Sequence, residues 1–182
     1  GAATTLGVGV LPRYLRSVAP ARLAFWSDFD AERERAVLRI AELTTGAVYR
    51  VGEVSAPGGE PGDAVFSADG ASVAFFDDFD AESREGTLKL APTTTTAGRG
   101  VVTVGTRVAL SSPGAPRFTA DARRIVYSRA LDATRASAEL RSADATTGAS
   151  VLLAEGAALA GTMFVDGGAS IVYLAAYEPT SS

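Results

Sequence analysis

The feature that most constrains this chain is an internal repeat. Three segments share one layout: Phe66 to Phe75 (FSADGASVAF), Phe118 to Tyr127 (FTADARRIVY) and Phe164 to Tyr173 (FVDGGASIVY). Each runs from an aromatic through a short polar turn into an apolar run that ends in an aromatic nine residues later. A looser copy runs from Tyr14 to Phe25, with a spacing of eleven. Phe25 to Leu38, Phe75 to Leu88 and Tyr127 to Leu140 are all thirteen apart. A Thr/Gly turn follows, Thr44-Thr45-Gly46 in the first unit and Thr146-Thr147-Gly148 in the third, with Gly98 in that place in the second. The unit is about 46 to 52 residues long. Chains that repeat at this period stack like units, because one unit cannot bury its own apolar face.

The unit reads as β. Ser72 to Phe76, Arg124 to Ser128 and Ser170 to Leu174 are short apolar runs rich in β-branched and aromatic residues. Leu38-Arg39-Ile40 and Leu88-Lys89-Leu90 alternate apolar and polar, as half-buried strands do. Asp69-Gly70 signals a hairpin turn, since Gly accepts the positive φ required there. Four strands per unit follow, near Phe66, Phe75, Leu88 and Val101–Val104 in the second copy. The Ala and Leu content of Val151 to Ala160 favours helix, but Gly156 and the repeat register favour a strand.

Four antiparallel strands per 40 to 50 residues is the pattern of a β-propeller blade. Phe66-Ser67-Ala68-Asp69-Gly70 followed by Val73-Ala74-Phe75 resembles the FSPDGxxIAF core of TolB-like, WD-related propeller repeats, with Ala68 where that family has Pro. Leu38 through Gly46 is similar to the family's later strand and its D-x-x-T-G turn. The third unit has Ala122 at the turn Gly position, and the first lacks the Asp-Gly turn. The expected fold class is therefore all-β, with about three and a half blades of four antiparallel strands. The blade units are residues 12–60, 61–112, 113–158 and an incomplete 159–175, within a single 1–182 domain or segment. Residues 1–11 would supply a closing strand. Propellers use four to eight blades, so a partial or assembled ring is expected over a self-sufficient one.

Composition narrows the chemistry. No Cys excludes disulfides, thiolate metal sites and cysteine nucleophiles. No His excludes Ser-His-Asp catalysis and most zinc sites. A net charge of −4 argues against nucleic acid as a partner. No run of about 20 apolar residues offers a membrane span. No charged region precedes an apolar run at the start, so no signal peptide is read in these residues, and Gly1 in place of Met suggests processing or a boundary. No G-x-S-x-G elbow is present, and Gly7-Val8-Gly9 lacks both the third Gly and a following helix.

Two near-identical stretches are the candidate sites: Asp28-Phe29-Asp30-Ala31-Glu32 and Asp78-Phe79-Asp80-Ala81-Glu82, placed alike in the loops of their units. Alternating carboxylates offer the hard oxygen ligands that Ca²⁺ prefers, making Asp28, Asp30, Glu32, Asp78, Asp80 and Glu82 a candidate cation set. The calcium-loop glycine and distal Glu are missing, and Arg33, Arg35 and Arg84 could neutralise the acids as surface pairs. Phe29 and Phe79 either anchor these loops or face a partner, and Trp26 either packs between blades or contributes to an interface. No other cofactor is implied.

The resemblance implies a non-catalytic TolB-like module for protein–protein interaction or assembly, not an enzyme. Its partner would be another protein, or a second copy completing the propeller. The alternatives are the gating propeller of a larger prolyl-oligopeptidase-like hydrolase, or a Ca²⁺- or sugar-binding propeller. The resemblance and the missing Met point to the periplasm or the extracellular space.

Overall fold

The computed structural model describes residues 14–16, 21–55, 62–94, 100–110, 115–132, 137–158, 163–165 and 170–173. Among them every regular element is a strand. The first four are β1 (Tyr14–Arg16), β2 (Arg22–Asp30), β3 (Arg35–Glu42) and β4 (Val48–Ser55), hydrogen-bonded in that order as one antiparallel sheet. The second unit repeats the meander with β5 (Ala64–Phe66), β6 (Ser72–Asp80), β7 (Glu85–Pro92) and β8 (Val102–Ala109). The third has β9 (Arg117–Phe118), β10 (Arg124–Asp132), β11 (Ser137–Asp144) and β12 (Ser150–Ala158). Two short strands, β13 (Met163–Val165) and β14 (Ser170–Val172), form a separate antiparallel pair. The described strands thus make three four-stranded blades and the opening pair of a fourth, a partial β-propeller. Residues 1–11, read as a closing strand, lie outside the described residues.

Side-chain alternation explains why the blades stack. Successive residues of a strand point to opposite faces, and the central strands are buried on both. On β6, Val73 and Phe75 pack toward the first blade with Trp26, Leu38, Ile40 and Val54. Ala74 and Phe76 turn the other way, into a cluster with Leu88, Val104, Ile125 and Tyr127 of the second and third blades. On β10, Val126 again faces outward, joining Leu140 and Ala157 in a cluster that Ile171 and Tyr173 cover from the fourth unit. The cores therefore lie between blades, and each fully buried Phe or Leu contributes roughly 1.5–3 kcal/mol. Val151 to Ala158 is strand rather than helix, and Gly156 takes a positive φ of 58° there.

The turns repeat as well. In the second blade the N–H of Gly70 donates to Ser67 O, Ser67 Oγ donates to Asp69 Oδ1 at 2.6 Å, and Ser72 N donates to Ser67 Oγ. The third blade has the same bonds through Thr119, Asp121, Ala122 and Arg124. Gly70 has φ 66° and Ala122 has φ 59°, so the alanine is held in the left-handed region its glycine counterpart occupies freely. Gly46 and Gly148 both have φ 73°, each closing a Thr-Thr-Gly turn with an N–H to the carbonyl four residues back.

Candidate functional site

The paired Asp-Phe-Asp stretches are not loops. They are the ends of β2 and β6, and the same irregularity recurs in β10. Three residue steps from Ser27 to Asp30 oppose two from Val37 to Arg35, which inserts one extra residue. The same shift falls between Asp77 and Asp80, and between Arg129 and Asp132. Asp28, Asp78 and Ala130 carry the irregular backbone, with φ of 53°, 50° and 51°. Among non-glycine residues, Asp tolerates this conformation comparatively well.

A one-residue bulge reverses the alternation beyond it. Phe79 therefore points to the same face as Phe76, with ring centroids 5.8 Å apart in an edge-to-face arrangement. Phe79 is 3% exposed. Phe29 turns likewise onto the face of Trp26 and is half-buried against that cluster. Trp26 itself is 3% exposed. Trp26 and Phe79 are thus interblade packing residues rather than groups presented to a partner, because the bulge and the strand parity turn them inward.

The six acids divide by position. Asp28 accepts from Arg39 Nη2 at 2.7 Å and from Ser27 Oγ, and these hold its carboxyl below the usual range. Asp30 Oδ1 accepts from the backbone N–H of Glu32 and Arg33, closing the turn after β2. Asp80 does the same for Glu82 N–H, and the Ser83 side chain, with that amide, lowers its pKa. Glu32, Asp78 and Glu82 are exposed. Among the described residues, no three acidic side chains group closely enough to hold a metal ion.

Two hollows lie elsewhere, at the rim where the turns of successive blades meet. A cavity of about 370 Å³ is bounded by Arg22 of the first blade, by Asp69 and Ala71 of the β5–β6 turn, by Thr93 after β7, and by Ala145 and Thr146 after β11. A second hollow of about 220 Å³ lies across Pro92–Thr94, against Tyr49 and Val51. Arg22 is only 9% exposed. It leaves the first blade and reaches the second, where Nη1 donates to Gly70 O and to Thr93 Oγ1 at 2.6 Å. Glu42 lies opposite it in register yet is not its ion-pair partner. Burial pushes the Asp69 carboxyl up, but bonds from Ser67 Oγ and Ala71 N–H, helped by the Arg22 charge, bring it below the ordinary range.

Sequence reasoning missed this rim. Arg22 begins an apolar strand, where the second unit has Ser72 and the third has Arg124. Arg124 bonds within its own blade, to Ser142. Nothing in the residue pattern separates the arginine that crosses a seam from the one that stays home.

No known protein family and no curated protein matches this sequence. Solved structures do resemble it. The β-propeller domain of the Trilobed protease from Pyrococcus furiosus, described as having an open velcro topology, aligns over 86% of this chain and 46% of its own length, at 11% identity and a TM-score of 0.53. A prolyl endopeptidase aligns over 91% of this chain and 26% of its own length, at 15% identity and TM-score 0.52. The acylaminoacyl peptidase of Pyrococcus horikoshii aligns over 88% of this chain and 27% of its own, at 13% identity and TM-score 0.51. The chain therefore spans between about a quarter and half the length of these structures, and at such identities the likeness establishes the β-propeller fold.

Proposed function

We propose that this chain is the non-catalytic propeller portion of a larger prolyl-oligopeptidase-like peptidase, where stacked blades cover the catalytic domain and filter what reaches it. The observation that carries this reading is the alignment of about nine-tenths of the chain with about a quarter of two much longer peptidases. The absence of His fits it, since a Ser-His-Asp centre would have to come from outside these residues. The test is the complete reading frame, expressed and treated with a serine-directed fluorophosphonate. Labelling outside these residues, and faster cleavage of long polypeptides relative to short peptides once the blades are deleted, are the expected results. A reading frame with no hydrolase domain, or an intact protein that does not label, overturns the proposal.

A second reading, a module for protein interaction, is favoured by the adjacent apolar side chains Val151 and Leu152. They are 50% and 42% exposed on β12, the outer strand of the third blade. Val151→Ser with Leu152→Ser would then abolish partner capture by the intact protein while leaving its circular dichroism unchanged. Capture that survives both substitutions removes this reading.

A further inference from the structure

Beside the third blade lies an open apolar seat, and the repeat defines the shape that fits it. Ile171 pairs with Phe164 as Ile125 does with Phe118 and Val73 with Phe66, so β14 is the counterpart of β6 and β10. Val172 then corresponds to Ala74 and Val126, which are 1% and 3% exposed, yet Val172 is 50% exposed. Among the described residues β14 pairs only with β13. The outer strand of the third blade is open beside it. Val151 stands opposite Ser142 on β11 as Val102 stands opposite Leu90 on β7. Val102 packs into the next seam, and the Thr-Thr-Gly turn of the following blade presses on it. A side chain at Gly148 would meet the Thr103 carbonyl at 3.0 Å and Val102 Cγ2 at 3.5 Å. Val151 is 50% exposed, as expected of the same position without such a turn over it.

In each complete blade the strand that fills this place carries one pattern: Leu, a basic residue, a variable residue, Ala. It is Leu38-Arg39-Ile40-Ala41 on β3, Leu88-Lys89-Leu90-Ala91 on β7 and Leu140-Arg141-Ser142-Ala143 on β11. The pattern has positional causes. The Ala lies opposite Leu23, Val73 or Ile125 and is at most 5% exposed, in a seam packed around a methyl group. The basic residue lies opposite Phe25, Phe75 or Tyr127 and pairs with Asp28, Asp77 or Glu139 of its own blade. An open strand edge flanked by apolar side chains is a template for strand addition. A second copy of this chain has no such strand to give, because β3, β7 and β11 are each paired on both sides within their own blades.

We propose that β14 and the exposed start of β12 receive a β-hairpin from polypeptide outside these residues. Its first strand reads Leu-(Arg or Lys)-x-Ala and adds antiparallel to β14, with the Ala opposite Ile171, x opposite Val172 and the basic residue opposite Tyr173. Its turn then covers Val151, as the turn at Gly148 covers Val102. The chain has no Cys, so Val151→Cys supplies a single thiol at the seat. A copy of residues 35–55, the hairpin of β3 and β4, is joined directly after Ser182. β3, β7 and β11 each begin thirteen residues after β2, β6 and β10, and this junction gives the copy the same spacing after β14. Maleimide labelling of the thiol should slow several-fold when the copy is present. It should return to the original rate when the appended copy alone carries Leu38→Asp and Ala41→Asp, changes that leave the rest of the protein unaltered. A labelling rate unchanged by the copy, or slowed equally by the doubly substituted copy, overturns the proposal. So does a thiol already protected in a dimer of the unextended protein, seen by sedimentation, which would give the seat to a second copy. The labelling needs neither a hydrolase nor a captured partner, so its failure is separate from failure of the peptidase or the interaction reading.

Discussion

A single side chain in a turn shows how tightly the blades are copied. Ala122 makes the same backbone bond as Gly70 and sits in the same left-handed region, at φ 59° against 66°. A Cβ in that region costs about 1–2 kcal/mol. Glycine would relieve this while adding unfolded-state entropy worth about 0.4–1 kcal/mol. Ala122→Gly should therefore stabilise the protein by about 0.5–1 kcal/mol, read as a higher urea midpoint at unchanged slope. An unchanged or lower midpoint would show that Ala122 is not strained. This position was legible in the sequence, because the repeat aligns Ala122 with a glycine whose φ the Asp-Gly pair already implies. Arg22 was not, because the partner that distinguishes it from Arg124 lies 71 residues away, at Thr93.

At the scale of elements, the strands and their order followed from the repeat, whereas the Asp-Phe-Asp stretches read as loops with alternating acids. The reading failed because a bulge leaves no periodic trace. It breaks the two-residue alternation by which strands are recognised, so an aromatic destined for the core looks like one in a turn. The seams between blades are equally hidden. From the second blade to the third, β8 and β10 pair directly at Val108 and Arg129. From the first to the second, a side chain intervenes: Asp77 Oδ1 accepts the backbone N–H of Ser55 at 2.7 Å, while Oδ2 meets Lys89 Nζ. Asp77 and Lys89 are mostly buried, at 15% and 24% side-chain exposure. Asp77→Ala removes both contacts and strands a mostly buried amide and ammonium, at a cost of about 2–3 kcal/mol. Asp77→Asn keeps an acceptor for Ser55 and gives up only the charge, at about 1 kcal/mol. Chemical denaturation of the two variants checks the order, and equal losses would mean that the Ser55 bond contributes nothing to the seam.

For the whole molecule, pH reports how the carboxylates are used. Among the described residues, six are held below their ordinary values in the folded protein: Asp28, Glu53, Asp69, Asp80, Asp121 and Asp144. Below about pH 4.3 the unfolded chain therefore binds more protons than the folded one, and stability falls as pH falls through the depressed native values. Above that range these contributions are fully present. The protein has no His or Cys, the side chains whose ordinary pKa values lie nearest neutrality. The urea midpoint should thus be level from about pH 5.5 to 8 and drop below about pH 4. Salt separates two causes of that drop. Asp28 and Glu53 are lowered chiefly by arginines, Arg39 and Arg35, so their share is screened. Asp69, Asp80, Asp121 and Asp144 are lowered by hydroxyl and backbone N–H donors in the turns. Hydrogen bonds to neutral donors are little affected by ionic strength, so most of the acid loss should survive in half-molar sodium chloride. A loss abolished by salt would place the acid sensitivity in surface ion pairs. A transition between pH 5 and 7 would require a strongly shifted carboxylate that none of these six contacts provides.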